Sequence, residues 1–321
     1  MAATPRTTRR AAFTLIELLV VIAIIAVLVA LTAAGVAQII LAQKKSNTTS
    51  LIQKVDGAVE QQWRAEVDDA NEQFGQASPN VLALAGNDPR RAKVIWAKLR
   101  LKRRFPMSYY EARFPWLPPD PALANAAPLA ATDMPAKAIY VQAVGGRAGN
   151  PTNPSPAEMS ACLLMALSQS TRGMTFSPSD ALGRTALRDT DGDGLEEVVD
   201  GYGQPVGFYR WGTANPDLVN TTPPAGFVNA RFRDPLDPTG TLLDAKWNNA
   251  ASYQAKGGVY WFEQYFHPVH VMNGTTWVPT AFYTVPTVVS AGRNEKMGLT
   301  WPLMGPISPD ADDNIFSFAV R

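Results

Sequence analysis

The sequence predicts an α+β protein: one very long N-terminal helix, followed by a loop-rich region of short antiparallel strands. Three observations predict it. No charged residue occurs from Leu18 to Ala42. Beyond that run, Leu51, Val55, Val59, Trp63, Val67, Ala70 and Phe74 recur every three or four positions, with Lys54, Asp56, Glu60, Arg64, Asp68 and Glu72 between them, so the helix continues with one apolar stripe. The 26 prolines, denser after residue 105, and 23 glycines suit strands joined by loops rather than a helical bundle.

The uncharged run comes first. At about 1.5 Å per residue it is roughly 37 Å long as a helix, enough to cross a hydrocarbon core of about 30 Å. Arg6, Arg9 and Arg10 precede it with no acid among them, which predicts a cytoplasmic N-terminus and an outward crossing. A cleaved secretory signal has a core of only about 7–15 residues, with small residues after it. Here the core is longer and the small pair Ala11-Ala12 precedes it. Glu17 is the exception inside "AAFTLIELLVVIAIIAVL": a carboxylate is costly in lipid, and such a residue is a functional site by default.

Arg9-Arg10, Ala12 and then Phe13-Thr14-Leu15-Ile16-Glu17 before a long apolar helix resemble the N-terminal signature of the type IV pilins and type II secretion pseudopilins. The resemblance implies that a prepilin peptidase cuts between Ala12 and Phe13 and N-methylates the new Phe13 amine, making Glu17 the fifth residue of the mature chain. That family usually has glycine where this chain has Ala12. The amine and the carboxylate are each expensive in lipid and cheaper as a pair. Glu17 of one subunit can therefore meet the Phe13 amine of a neighbour, favouring assembly and checking axial register. The resemblance also implies a pilin-like shape, with the amphipathic half of the helix packed on a small antiparallel β-sheet head.

The organisation expected is a basic leader over 1–12, a transmembrane segment over 13–42, its amphipathic continuation over 43–75, a variable insert with a basic helix over 76–157, and a pilin-like head over 158–321. Gly75 and Ser78-Pro79 end the long helix; Gly35 and Gly57 are places where it can bend. Asp88-Pro89 opens the basic helix to about Arg104. Its many cations read as a solvated face, or as a contact for anionic headgroups or an acidic neighbour. From Pro115 to Pro156 the chain reads as a surface insert. Ser155-Pro156-Ala157-Glu158 is a capping box for a helix to about Ser170. Strands are expected at 206–211, 259–266, 282–290 and 315–320.

Two acidic loops are candidate calcium sites. "DTDGDGLEEVVD" follows the twelve-residue calcium-loop spacing: Asp189, Asp191 and Asp193 at positions 1, 3 and 5, Gly194 at 6, the Leu195 carbonyl at 7, Glu197 at 9 and Asp200 at 12. Aspartate at position 12 has a shorter reach than glutamate. A solvated Asx-Gly turn is the other reading. "DGYGQPVGFYRW" then resembles the Asp-x-aromatic-Gly-x-Pro stretch of the major-pseudopilin head, and "PTVVSAGRNEKMGL" with "DADDNIFSF" resembles its last β-element and loop. In major pseudopilins that loop binds calcium, which implies Asp310, Asp312 and Asp313 as ligands here. Arg293-Asn294-Glu295-Lys296 departs from the family pattern. The resemblance covers 9–45, 196–211 and 284–321, and is absent between.

Composition excludes several classes. A formal net charge of +1 gives no field for nucleic acid. Cys162 is the single cysteine, so no intrachain disulfide forms; its apolar setting reads as a small buried residue. His267 and His270, three apart on a strand, face opposite ways and make a poor metal pair. No nucleophile motif or phosphate loop occurs, so no enzyme is expected. The resemblance implies a structural subunit of a type II secretion pseudopilus, anchored in the inner membrane with a periplasmic head. Its partners would be copies of itself, other pseudopilins, the prepilin peptidase and an assembly platform. The alternatives are a type IV pilin for adhesion or motility, and a calcium-dependent binding module on a pilin-type anchor.

Overall fold

The computed structural model describes residues 14–117, 129–173, 175–212, 234–243, 270–273, 276–279, 285–299 and 308–317. The leader with Ala12 and Phe13, the strand expected at 259–266 and His267 lie outside the described residues. The chain divides into two compact units between Ser46 and Asn47.

Helix α1 runs unbroken from Leu15 to Glu72, through both Gly35 and Gly57. In the first unit its large apolar side chains, from Leu15 to Ile40, are exposed. Among the described residues it is the one helix long and apolar enough to cross a membrane. Such all-round apolarity fits a lipid solvent rather than a protein core.

In the second unit the stripe is used as its period demands. Leu51, Val55, Val59 and Trp63 are buried in a cluster with Leu163, Leu167, Phe208, Trp211 and Val288. The helix ends at Glu72, before a 3₁₀ turn at Phe74–Gln76, where the glycine and the Ser78-Pro79 pair follow. Helices α2 (Pro79–Leu84), α3 (Pro89–Arg104), α4 (Tyr109–Arg113), α5 (Ala138–Val144), α6 (Pro156–Leu167) and α7 (Pro178–Leu182) come next. The Asp88 carboxylate caps α3, accepting from the Arg90 and Arg91 amides.

The strands are short. Strands β1 (Leu187–Arg188) and β2 (Glu197–Val198) form an antiparallel pair. Strands β3 (Gly207–Gly212), β6 (Val285–Ser290) and β7 (Ile315–Phe316) form a three-stranded antiparallel sheet in the order β3-β6-β7. Between them, β4 (His270–Asn273) and β5 (Thr276–Pro279) make a hairpin. The expected 206–211 and 282–290 strands are thus β3 and β6, and β7 covers the start of 315–320. Sequence reading missed β1, β2 and the hairpin, because two-residue strands and His270–Asn273 carry too few positions to show a period.

Three expectations are corrected. Helix α3 does not present a solvated basic face: Arg91, Lys98, Lys102 and Arg104 are buried. Lys98 pairs with Asp234 under the Trp211 ring, 4.4 Å from its centroid. Arg100 pairs with Glu66 at 2.8 Å and with Asp69. Arg104 donates to Gln62 Oε1 and to the Gln169 carbonyl, both at 2.7 Å. The acids and acceptors come mainly from α1 and from distant loops, so the local charge run could not reveal them. Of its cations only Arg90 and Lys93 are exposed, too few for a headgroup face.

The 115–156 stretch is not wholly superficial either. Leu129 and Met134 join a core cluster with α2 and α3, and Tyr140 and Val144 of α5 pack beside Cys162. Third, the capping box is half made. Ser155 Oγ accepts from the Glu158 amide at 3.1 Å, but the Glu158 carboxylate turns to the amides of Tyr109 and Asn150. Burial holds that carboxyl above the usual range, against the pull of those two amides. The same burial pushes the Cys162 thiol well up, which keeps it protonated and inert.

Candidate functional site

Three places carry the residues singled out above. At the start of α1, the Thr14 amide and Thr14 Oγ1 donate to Glu17 Oε2 at 2.8 and 2.9 Å, and the Glu17 amide donates back to Thr14 Oγ1 at 3.3 Å. Thr14-Leu15-Ile16-Glu17 is therefore a capping box. Two groups that helix geometry leaves orphaned are satisfied in this way, the Thr14 and Glu17 amides. The Thr-x-x-Glu spacing of this cap is legible in the sequence. The Glu17 carboxylate thus closes the helix start through its Oε2.

The second place is the 189–200 loop. Asp189 Oδ1 and Oδ2 accept from the Gly192 and Gly194 amides at 2.7 and 3.0 Å. Asp191 Oδ1 accepts from the Asp193 amide, and Asp193 Oδ1 from the Leu195 amide. Gly192 and Gly194 have φ of +79° and +87°, which lets the chain fold the aspartates inward. Asp189, Asp191, Asp193 and Glu197 each place a carboxylate oxygen within 4.8 Å of the others. Glu197 lies on β2 and is fully buried. Burial, then the charges of Asp191 and Asp189, hold its carboxyl above the usual range, against the pull of the Thr190 amide and hydroxyl.

Asp200, expected at the twelfth position, is turned elsewhere. Its Oδ1 accepts from the Tyr202 and Gln204 amides at 2.8 and 3.0 Å, and its Oδ2 from Ser290 Oγ. In the helix–loop–helix calcium motif a helix follows the twelve-residue loop. Here extended chain begins at Glu197 and carries Asp200 away to fasten the following turn to β6. Two unforeseen residues hold Asp193 instead. The Tyr109 hydroxyl donates to Asp193 Oδ2 at 2.8 Å, and Arg147 Nε is 3.0 Å from the same oxygen, with Arg147 Nη2 on the Asp193 carbonyl. Neither belongs to any local motif, so only the fold brings them in.

The third place is the C-terminal loop. Among the described residues, Asp310, Asp312 and Asp313 do not converge as a carboxylate group. Asp313 Oδ2 accepts from the Asn294 amide at 2.8 Å, and Asn294 Nδ2 donates to the Asp310 carbonyl at 2.7 Å. Lys296 Nζ is 3.9 Å from Asp310 Oδ1. Gly292, at φ +68°, lies where a Cβ would overlap the Asp313 carbonyl, so the two loops interlock through backbone. The departure at Arg293 to Lys296 is thus an intrachain tie across this loop, made by Asn294 and Lys296.

Residues 7–33 match the family model described as prokaryotic N-terminal methylation motif. That segment marks a pilin-like chain of the kind processed by prepilin peptidase and assembled with other pilins. Its apolar helix fits membrane anchoring, and the long helix with small antiparallel sheets is consistent with a pilin-like fold. No curated protein and no solved structure matches the chain.

Proposed function

We propose that the protein is a structural subunit of a type II secretion pseudopilus. The leader is cut between Ala12 and Phe13, and Phe13 is N-methylated. The apolar stretch of α1 holds the subunit in the inner membrane, with the N-terminus cytoplasmic and the head periplasmic. Assembly then draws it into a helical filament with copies of itself and other pseudopilins, driven by an assembly platform.

The observation that carries this reading is the methylation motif over residues 7–33, with Glu17 as the sole charge before Lys44 in α1. Arg6, Arg9 and Arg10 support the orientation. The capping geometry supports the role of Glu17: Thr14 holds the carboxylate at the helix start, where a neighbouring Phe13 amine would meet it. An uncapped, unpaired carboxylate in lipid would be expensive; the cap lowers that expense while the subunit waits, and the amine lowers it further on assembly.

The test compares two variants in the native host. Ala12→Trp is expected to block processing, since the peptidase must accept a small residue before Phe13; a mature-sized band on a blot would overturn the cleavage site. Glu17→Val is expected to be inserted and cleaved but to yield few filaments. Normal filament yield from Glu17→Val would overturn the pairing role, and filaments extending far outside the cell would favour an adhesive or motility pilus.

A further inference from the structure

We infer that Asp189, Asp191, Asp193 and Glu197 bind a calcium ion, with Glu197 rather than Asp200 closing the site. This goes beyond the filament role and does not depend on it.

The first observation is the convergence of four carboxylates within 4.8 Å of one another. Clustered acids alone are common on surfaces. The second observation is independent of the clustering. Glu197 has no exposed surface; its Oε2 accepts from the Thr190 amide at 2.6 Å, but its Oε1 is buried with no hydrogen-bond partner among the described residues. A buried carboxylate oxygen without a partner costs several kcal/mol, so folded proteins supply one. Among the described residues the one charged donor on the cluster, Arg147, is spent on Asp193. A bound cation answers both facts: it neutralises the convergent charge and supplies the partner that Oε1 lacks.

The donor set identifies the ion. Every ligand is a hard carboxylate oxygen, with no histidine or thiolate among them, which excludes soft transition metals and favours calcium or magnesium. Three of the four carboxylates come from alternate positions of one glycine turn and the fourth from a strand. Such an irregular shell suits calcium, whose coordination is flexible, better than the near-ideal octahedron of magnesium. Asp193 is held at Oδ2 by Tyr109 and Arg147, which orients it as outer partners orient metal ligands. The C-terminal loop offers no comparable set, because its aspartates are tied to Asn294 and Lys296.

The experiment uses the full-length protein in detergent micelles with terbium(III), a hard luminescent stand-in for calcium. Tyr109, whose hydroxyl is 2.8 Å from Asp193 Oδ2, should sensitise terbium emission on excitation of tyrosine, and added calcium should quench it by displacement while magnesium does so only weakly. Glu197→Gln and Asp191→Asn should each weaken terbium binding by about tenfold or more, the scale on which metal-site partners act. Asp200→Asn and Asp312→Asn should leave it nearly unchanged. Asp191 is exposed, so its variant keeps the test valid should Glu197→Gln disturb folding. Absence of sensitised emission, unchanged affinity in Asp191→Asn, or loss of binding in Asp312→Asn would each overturn the site; displacement by magnesium as strong as by calcium would overturn the choice of ion.

Discussion

Helix α1 lives in two solvents, and its two stretches obey different rules. From Leu15 to Ile40 the large apolar side chains are exposed. One acid, Glu17, is the only charge there, and its local partner is Thr14, three residues away. From Leu51 to Glu72 one stripe is buried, and the intervening polar positions bond across the head. Gln62 donates to the Leu167 carbonyl at 2.8 Å and accepts from Arg104, while Glu66 takes Arg100. In lipid, local partners must suffice because nothing else is polar. In the head, polar groups are free to find partners far along the chain. Packing and polarity therefore carry different weights in the two stretches, and mutation can separate them.

The largest contrast should come from packing. The Trp63 ring centroid lies 5.5 Å from those of Phe105 and Trp211, tilted against the first and edge-on to the second. Trp63→Ala should destabilise the head by about 3–5 kcal/mol, as large-to-small changes in cores do. Ile25→Ala, an equally apolar truncation on the same helix, should leave the melting temperature of the head unchanged, because Ile25 is exposed to whatever surrounds the first unit. Thermal unfolding followed by near-ultraviolet circular dichroism reads both. Equal effects would break the comparison.

The next contrast is in charge. Arg210 and Glu111 form a bidentate pair at 2.9 Å with essentially no exposure. Glu111 also accepts from the Met107 amide. Burial opposes its ionisation, but the Arg210 guanidinium prevails and holds the carboxyl below its usual range. Glu111→Gln leaves a buried guanidinium unpaired, which should cost about 3 kcal/mol or more in a urea titration. Glu17→Val removes a charge from lipid and should cost the head nothing. A loss below about 1 kcal/mol for Glu111→Gln would mean that the Phe105 carbonyl, also bonded to Arg210, already satisfies it.

The same division decides what was legible in sequence. The apolar run, the Leu51-to-Trp63 stripe, the Asp88 cap and strands β3 and β6 were all readable, because each is a local pattern of period, cap or turn. The capping box at Thr14 is equally local, a Thr-x-x-Glu spacing at the start of α1. The Asp189-x-Asp191-x-Asp193 spacing gave the convergent aspartates, but not the diversion of Asp200, which depends on β2 forming at Glu197–Val198. Arg147 on Asp193, Lys98 on Asp234 and Arg210 on Glu111 were out of reach. Each joins residues far apart in the chain, and a charge run such as that of α3 reads as solvated until its partners arrive.

The smallest effect is a pH dependence, and it tests whether the buried cations of α3 behave as the fold requires. Lys102 is fully buried, donating to the carbonyls of Pro115 and Leu117 at 2.8 and 2.6 Å. Burial lowers its ammonium to about 7, with Glu111 pulling it up and Arg210 pushing it down. Lys137 is lowered to about 8, again mainly by burial. In the unfolded chain both stay protonated to about pH 10. Between pH 7 and 9 the unfolded state therefore binds more protons than the folded one, and stability rises with pH. Below about pH 7 both states hold the Lys102 proton, and its burial penalty is fully present. For Lys102 the slope should approach about 1.4 kcal/mol per pH unit above its folded pKa. Lys102→Met should remove most of it, and Glu111→Gln should shift its onset to lower pH by removing the charge that favours the ammonium. Urea midpoints at pH 6.5, 7.5 and 8.5 read the slope. A wild-type midpoint that stays flat or falls across that window would show that the two carbonyls keep Lys102 charged in the fold, and that the cations of α3 are as well solvated by the protein as by water.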